Sequence, residues 1–294
     1  MQSVPLGKTD EVLITSHQYN AVNLAVRRRC EETNASLVEA NIPIPQHDDD
    51  IIAPILEAVT DRTRLAIVDH ITSATALVFP VKRIVTALRE KGVKVLIDGA
   101  HAVGQLDLDI SDIDPDWYVT NAHKWLFAPK GSALFYARAT EAKRTRPAIT
   151  SHFVDLGFPG AFDYVGTRDY SAWLATPAAL DFYRSFDDAR LRVHARDIIA
   201  HASERFGALG ARPLGPIEMS ASMRVFELPT RGGIDHTEAV RWGDALWDKH
   251  KLEIKPDGHS GKLRFRISAP AYVDRSDIDT CAHILRTEGW PDQT

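Results

Sequence analysis

The sequence predicts an α/β protein: a mostly parallel sheet covered by helices, followed by a smaller C-terminal α+β domain. Three observations carry the prediction. Short runs rich in Val, Ile and Leu alternate with amphipathic stretches over the first two-thirds of the 294 residues, the pattern of strands covered on both faces by crossover helices. Two of these runs end in polar side chains, "VLIDGAH" at Asp98 and "TNAHK" before Lys124, and in such sheets ligands bind beyond the carboxyl ends of the strands. The last third changes character, with a long helical pattern and then short strands interleaved with helices. The domains are therefore drawn as 1–170 for the large domain and 171–294 for a linking helix with the small domain.

Each element follows in order. "EVLIT" reads as a strand, and a helix runs from Tyr19 to about Cys30. "ASLVEANI" is the next strand, and "DDDIIAPILEAVTD" is a helix with acidic residues at its positive end. "RLAIVDHI" is a strand, and "PVKRIVTALREKG" is a helix opened by Pro80 and closed by Gly92. "VKVLIDG", "DWYVTNAH" and "SALFYAR" are strands. "ITSHFVDLGFPGAFDYVGTRD" is long for a plain connection and rich in Gly, Phe and Tyr, which favours a binding loop or an interface. From about Ala172 to Phe206 the pattern is helical. Then come strands at "SMRVFELP", "KLEIK" and "KLRFRISA", a helix at "HTEAVRWGDALWDKH", and a closing helix capped at the start of "DRSDIDTCAHILRTEG".

With 44% hydrophobic and 26% charged residues the composition is that of a globular protein. A net charge of −5 gives no broad basic surface, so nucleic acid is not an expected partner. Arg27, Arg28 and Arg29 are followed by Glu31 and Glu32, as on a solvated helix face. The run from His47 through Asp48, Asp49 and Asp50 reads as helix-start acids rather than metal ligands. No run is long enough to span a bilayer, and "MQSVPLGKTDEV" has no apolar core of a signal peptide. Two cysteines, Cys30 and Cys281, lie far apart in no metal-binding pattern, which fits a reducing cytoplasmic setting.

A lysine sheltered at a strand end loses its proton more easily, and the free amine attacks an aldehyde to form a Schiff base. A carboxylate nearby pairs with the ring nitrogen of pyridoxal phosphate and keeps it protonated, so that the ring accepts electrons from the substrate Cα. Lys124 and Asp98 have the types and placement for that pair. His101 is placed for the ring hydroxyl, and His123 with Asn121 for the phosphate. Taken singly these residues have plainer readings: a strand-end Asp caps the next helix, and a His-Lys pair sits on many surfaces.

The stretch "VLIDGAHAVGQLDLDISDIDPDWYVTNAHKWLFAPKGSALFYAR" resembles the core of the class V aminotransferase family of pyridoxal-phosphate enzymes, and "NAHKWLFAPKG" is most similar to the isopenicillin N epimerase-like branch. "DEVLITSHQYNAV", "TRLAIVDHITSATALVFPV", "YVGTRDYSAWLATPAALDF" and "LRFRISAPAY" resemble family segments in the family order. The resemblance implies a fold-type I transferase-like architecture and pyridoxal 5'-phosphate as cofactor. It implies that Lys124 is the Schiff-base lysine, Asp98 the partner of the pyridine nitrogen and His101 the partner of the ring hydroxyl. It also implies phosphate contacts from His123 and from Asn121, which replaces the family's usual Ser. Tyr19 matches the residue that stacks on the ring, with His17 a weaker candidate assigned to loop packing, and Ser73 matches a polar residue near the ring hydroxyl. Thr167 matches a residue that reaches the neighbouring subunit's phosphate in a homodimer with its active site at the interface. Arg266 matches the clamp on the substrate α-carboxylate, a task suited to a guanidinium. Arg264 reads as structural, and Arg168 as an interface ion pair or a substrate contact.

Two departures from the family pattern bear on function. Family members carry a further stretch ahead of the "DEVLIT" strand, with a turn whose backbone N–H groups hold the phosphate. The large domain is therefore expected without this part, with His123, Asn121 and the neighbour's Thr167 carrying the phosphate. Neither cysteine lies where a desulfurase needs its mobile-loop cysteine, which disfavours persulfide chemistry. The expected function is pyridoxal-phosphate chemistry at the Cα of a small amino-acid substrate, as a racemase, epimerase or aminotransferase. The alternatives are a C–S lyase of the same family and a non-catalytic dimerising homologue.

Overall fold

The computed structural model describes residues 1–291, which divide into two units. The first comprises Met1–Ser73 and Phe79–Ser185; the second comprises Ala74–Val78 and the chain from Phe186 onward.

In the first unit the strands are β1 (Glu11–Thr15), β2 (Ser36–Ala40), β3 (Thr63–Asp69), β4 (Lys94–Asp98), β5 (Trp117–Asn121) and β6 (Ala133–Ala137). They form one sheet in the order β2-β1-β3-β4-β5-β6. Every neighbouring pair is parallel except β5 with β6. Helices α1 (Asn20–Thr33), α2 (Asp49–Glu57) and α3 (Val81–Glu90) are the crossovers. α3 shows why the sequence folds this way: Val81, Ile84, Val85 and Leu88 are its buried residues, one stripe at helical spacing. Strand alternation does the same for the sheet. Val12, Ile14, Leu65 and Ile67 share one core cluster with Val26 and Cys30 of α1 and with Trp117 of β5. At the start of α2, Asp50 accepts hydrogen bonds from the Gln46 and His47 N–H groups, while Asp48 and Asp49 pair with Arg83.

The chain leaves β1 toward β2 on one side and returns to β3 on the other. The sheet order therefore reverses at β1, and in open α/β sheets such a reversal is where ligands bind, beyond the carboxyl ends of β1 and β3. The long segment before residue 171 forms two short turns of 3₁₀ helix, Val154–Leu156 and Gly160–Phe162. Aromatic contacts hold it: Phe158 and Phe162 lie 5.8 and 5.6 Å from Phe135, centroid to centroid.

The second unit is an antiparallel sheet in the order β7-β8-β10-β9, with β7 at Arg212–Pro213, β8 at Met223–Glu227, β9 at Lys255–His259 and β10 at Lys262–Ser268. Its helices span Asp188–Gly207, His236–His250 and Arg275–Glu288. Phe206, Phe226 and Phe265 meet at its centre with ring centroids 5.1–5.6 Å apart. The last helix carries a full capping box between Asp274 and Asp277.

Two local expectations are corrected. The long helical pattern from Ala172 is broken into Ser171–Leu174, Thr176–Ser185 and Asp188–Gly207. Asp187 takes a left-handed backbone conformation and caps the third piece through the Ala189 N–H. The strand expected at "KLEIK" begins instead at Lys255. Leu252 and Ile254 pack against the core of the unit, so their alternation records burial and not pairing.

Candidate active site

The site is built at the carboxyl ends of β1, β3, β4 and β5. β4 ends in Asp98, whose carboxylate accepts the Ala100 N–H at 3.0 Å and is buried. Gly99 follows because nothing larger fits: a Cβ there would lie 2.1 Å from the Tyr118 ring. Ala102 and Gln105 close two turns back on Gly99 and Ala102, which brings the buried His101 back toward the sheet end.

β5 ends in Asn121, and the chain enters the helical turn Ala122–Trp125 that carries His123 and Lys124. The loop behind this turn is tightly held. Gly104 approaches so closely that a Cβ would meet the Trp125 backbone at 2.7 Å. The Tyr183 hydroxyl donates to the Gly104 carbonyl at 3.0 Å. Phe127, in the left-handed backbone region, is held edge-on against Phe182 at 5.6 Å.

These turns bring Lys124 and His101 together, with Nζ 3.2 Å from His101 Nε2. Trp125 Nε1–H donates to His101 Nδ1 at 3.3 Å. A neutral His101 that accepts there carries its proton on Nε2, and Nε2–H then faces the lysine nitrogen as a donor. That arrangement suits the free amine, the nucleophilic form.

Burial raises the pKa of Asp98, while the Ala100 N–H and the charge of Lys124 pull it back. Asp69, the end of β3, pairs in register with Asp98 on β4. Its carboxyl is held well above the usual range, first by burial and then by the charge of Asp98. Beside it, His70 Nδ1 lies 2.8 Å from the Tyr118 hydroxyl. Burial holds that imidazole down to about 4.

Tyr19 precedes α1 and is 49% exposed, which places its ring near the carboxyl end of β1. His17 is turned inward, hydrogen-bonded to the Ile42 carbonyl at 3.0 Å and edge-on to Phe79, as loop packing. His123 Nδ1 lies 3.4 Å from the Ser132 carbonyl, and both His123 and Asn121 are half-buried. Ser73 is half-buried just beyond the end of β3. Thr167 is exposed, and Arg168 beside it stacks over the Trp173 ring at 3.9 Å. In the second unit, Arg266 lies on β10 and lines a cavity of about 410 Å³ with Lys255, Ser268 and Tyr272. Arg264 pairs with Glu227 at 3.2 Å.

Sequence reasoning passed over Asp69 and the His70–Tyr118 pair, and assigned Trp125 to core or interface packing, whereas its indole N–H donates to His101. The signal for Asp69 was present: "AIVDH" ends a strand in a carboxylate just as "VLIDG" does. The polar roles of Trp125 and Tyr118 gave no signal, because they depend on which loop folds back on which strand.

Comparison with known proteins places this architecture first within a class. The cysteine desulfurase CsdA of Escherichia coli superposes with a TM-score of 0.79 at 19% identity, covering 96% of this chain and 72% of that one. The fold is thus that of fold-type I enzymes. The sequence is 32% identical to an L-cysteine desulfhydrase of Arabidopsis thaliana over 84% of this chain and 57% of that protein. It is 30% identical to the isopenicillin N epimerase of Streptomyces clavuligerus over 96% of this chain and 75% of that one. The chain spans between 51% and 61% of the length of the rice and Arabidopsis desulfhydrases that it matches. The family model for aminotransferase class V matches residues 1–238. The chain belongs to the class V aminotransferases, a family of pyridoxal-phosphate enzymes.

The residues present fit that cofactor. An amine, a buried carboxylate, an imidazole and an exposed phenol ring are disposed around neighbouring strand ends. Both polar atoms of the Gln18 side chain and the Asp69 Oδ2 are buried there without a protein partner. Such polar, partly unsatisfied walls suit a polar aromatic ligand.

Proposed function

We propose that the protein is a pyridoxal-phosphate-dependent enzyme that acts at the Cα of an amino acid, with Lys124 as its catalytic residue. The observation that carries this reading is the cluster of Lys124 Nζ, His101 Nε2 and the Asp98 carboxylate on adjoining strand ends. When bound, the cofactor supplies an aldehyde for the amine and an electron-withdrawing ring for the electrons of a broken Cα bond. Asp98 holds a proton on the ring nitrogen, and His101 orients Lys124 and meets the ring hydroxyl, with Ser73 near it. Tyr19 covers one face of the ring. His123 and Asn121 meet the phosphate, joined by Thr167 of the partner subunit. Arg266 binds the substrate carboxylate. Lys124 Nζ would take the substrate's Cα proton and return it, the general acid–base role of a positioned amine.

We further propose a homodimer. The reading is supported by the exposed apolar side chains of Leu134, Phe135, Ile149, Phe153, Leu156 and Leu174 on the first unit, surface that a second copy would cover. A cytoplasmic setting belongs to the same reading, supported by two free buried thiols. Among the described residues no helix is long and apolar enough to cross a membrane.

Two reaction outcomes stand on specific observations. Epimerisation or transamination at Cα is supported by similarity to isopenicillin N epimerase along nearly the whole chain. β-Elimination from a cysteine-like substrate is supported by the somewhat higher identity to an L-cysteine desulfhydrase. Persulfide relay chemistry is disfavoured because both cysteines are buried.

The test is an absorption titration with pyridoxal phosphate followed by product analysis. A visible band that forms with the wild type and is lost in Lys124→Ala is expected, with turnover reduced about 10²–10⁴-fold. A folded wild type that gives no band at saturating cofactor overturns the reading. Pyruvate, ammonia and sulfide from L-cysteine select the lyase; the opposite Cα configuration with solvent deuterium at Cα selects the epimerase; conversion of the cofactor to its amine form selects the aminotransferase.

A further inference from the structure

Tyr118 and His70 have none of the roles assigned above, yet both are buried against the strand end that carries Asp98. Tyr118 pairs in register with Ile97, so its side chain lies on the face of the sheet opposite to that of Asp98. From that face its ring reaches Gly99, where a Cβ would overlap the ring carbons and the hydroxyl oxygen. His70 holds the hydroxyl end of the ring: its Nδ1 lies 2.8 Å from the hydroxyl, with the two rings edge-on at 6.0 Å between centroids. A neutral imidazole with its proton on Nε2 accepts there from the Tyr118 O–H, and burial keeps His70 neutral down to about 4.

His70 also grips the main chain. Its N–H donates to the Asp98 carbonyl at 2.8 Å, and its own carbonyl accepts the Phe79 N–H at 2.9 Å. On the β5 side, the Gly99 N–H donates to the Val119 carbonyl at 2.7 Å. The peptide between Asp98 and Gly99 is thus fixed within the sheet from both sides. Movement out of the sheet is left, and Tyr118 blocks it on one face. The contacts close a circuit from the Asp98 carbonyl through the main chain and ring of His70 to the Tyr118 hydroxyl and back to Gly99. The Asp98 carboxylate accepts the Ala100 N–H, the next but one along the chain, so a shift of this peptide moves the carboxylate with it.

We propose that Tyr118, anchored by His70, is a positioning residue for Asp98, holding the Asp98–Gly99 peptide so that the carboxylate stays aligned with the ring nitrogen of the cofactor. The proposal rests on the reading of Asp98 as the partner of that nitrogen. From the opposite face of the sheet, Tyr118 acts through Asp98 and not on the cofactor itself.

The experiment is an absorbance titration with two ligands, pyridoxal phosphate and its analogue with carbon in place of the ring nitrogen. Tyr118→Phe keeps the ring against Gly99 and removes the hydroxyl hydrogen bond. Roughly five- to tenfold weaker binding of pyridoxal phosphate is expected for Tyr118→Phe, as for loss of one buried hydrogen bond, with little change for the analogue, which offers Asp98 no nitrogen. His70→Leu breaks the same bond, so it should show the same selective loss and add little to Tyr118→Phe. A general loosening of the fold would weaken both ligands alike, and that result overturns the proposal. Unchanged affinity for pyridoxal phosphate in Tyr118→Phe overturns it too, as do additive losses in the double variant. If Tyr118→Phe does not fold, His70→Leu carries the same comparison of the two ligands. A wild type that binds no pyridoxal phosphate, or an Asp98→Ala variant that binds it as tightly as the wild type, sinks the reading of the site itself, an outcome separate from these.

Discussion

His70 and the two cysteines show what burial does to single titratable groups. The His70 imidazole is held down to about 4 from an ordinary 6.5, because burial disfavours its charged form. A depressed base binds fewer protons folded than unfolded, so its contribution is complete above 6.5 and is lost as pH falls toward 4. The full effect is on the order of 3 kcal/mol. Denaturant unfolding from pH 7 to pH 4 is expected to show this loss, and His70→Gln to flatten it. Burial also pushes the Cys281 thiol up to about 12 and raises that of Cys30, so neither supplies a thiolate near neutral pH. Both should label slowly with a thiol reagent in the native protein and rapidly after unfolding. Cys281→Ser and Cys30→Ser should leave turnover unchanged. A large loss of turnover in either would reopen persulfide chemistry.

Strand ends and the loops behind them set the geometry at the next scale. β4 delivers Asp98 and β5 delivers Lys124, but the distance between their side chains depends on Gly99 passing under Tyr118. A methyl group at Gly99 would strike that ring, and overpacking of this kind costs about 1–3 kcal/mol. Gly99→Ala is expected to lower stability by that amount and to weaken cofactor binding, as measured by thermal melting and absorbance titration. In a Tyr118→Ala background the added loss should shrink, since the ring that the methyl strikes is gone. Equal losses in both backgrounds would remove Tyr118 from the explanation. The same reasoning separates what was readable from what was not. Strand termini in Asp98 and before Lys124 are visible in the chain, since apolar runs stop there. The fit of Gly99 to Tyr118, nineteen residues apart in sequence, depends on register and cannot be read from either segment alone.

Over the whole molecule, the described residues form two units, each with its own core. The proposed cofactor contacts of β1, β3, β4 and β5 all lie in the first. Ligand binding stabilises the unit that binds it by mass action, about 2.7 kcal/mol at a hundredfold excess over the dissociation constant. Calorimetry is expected to show pyridoxal phosphate raising the melting of the first unit, with a smaller shift in Lys124→Ala. A cofactor that left the whole melting profile unchanged would contradict binding at these strand ends.

By itself the sequence determined the alternation of strand and helix, the polar strand ends and the family pattern that joins Asp98 to Lys124. Those are consequences of local periodicity and of residue type, which short segments carry. Only the tertiary structure decided that β6 runs antiparallel, that β9 starts after Ile254, and that Leu252 and Ile254 serve the core. It also decided that Trp125 donates to His101, which fixes the face that His101 shows to Lys124. Above all, it brought Asp69 beside Asp98. That convergence comes from parallel register and from the reversal of strand order at β1, long-range pairings that no single stretch of residues contains.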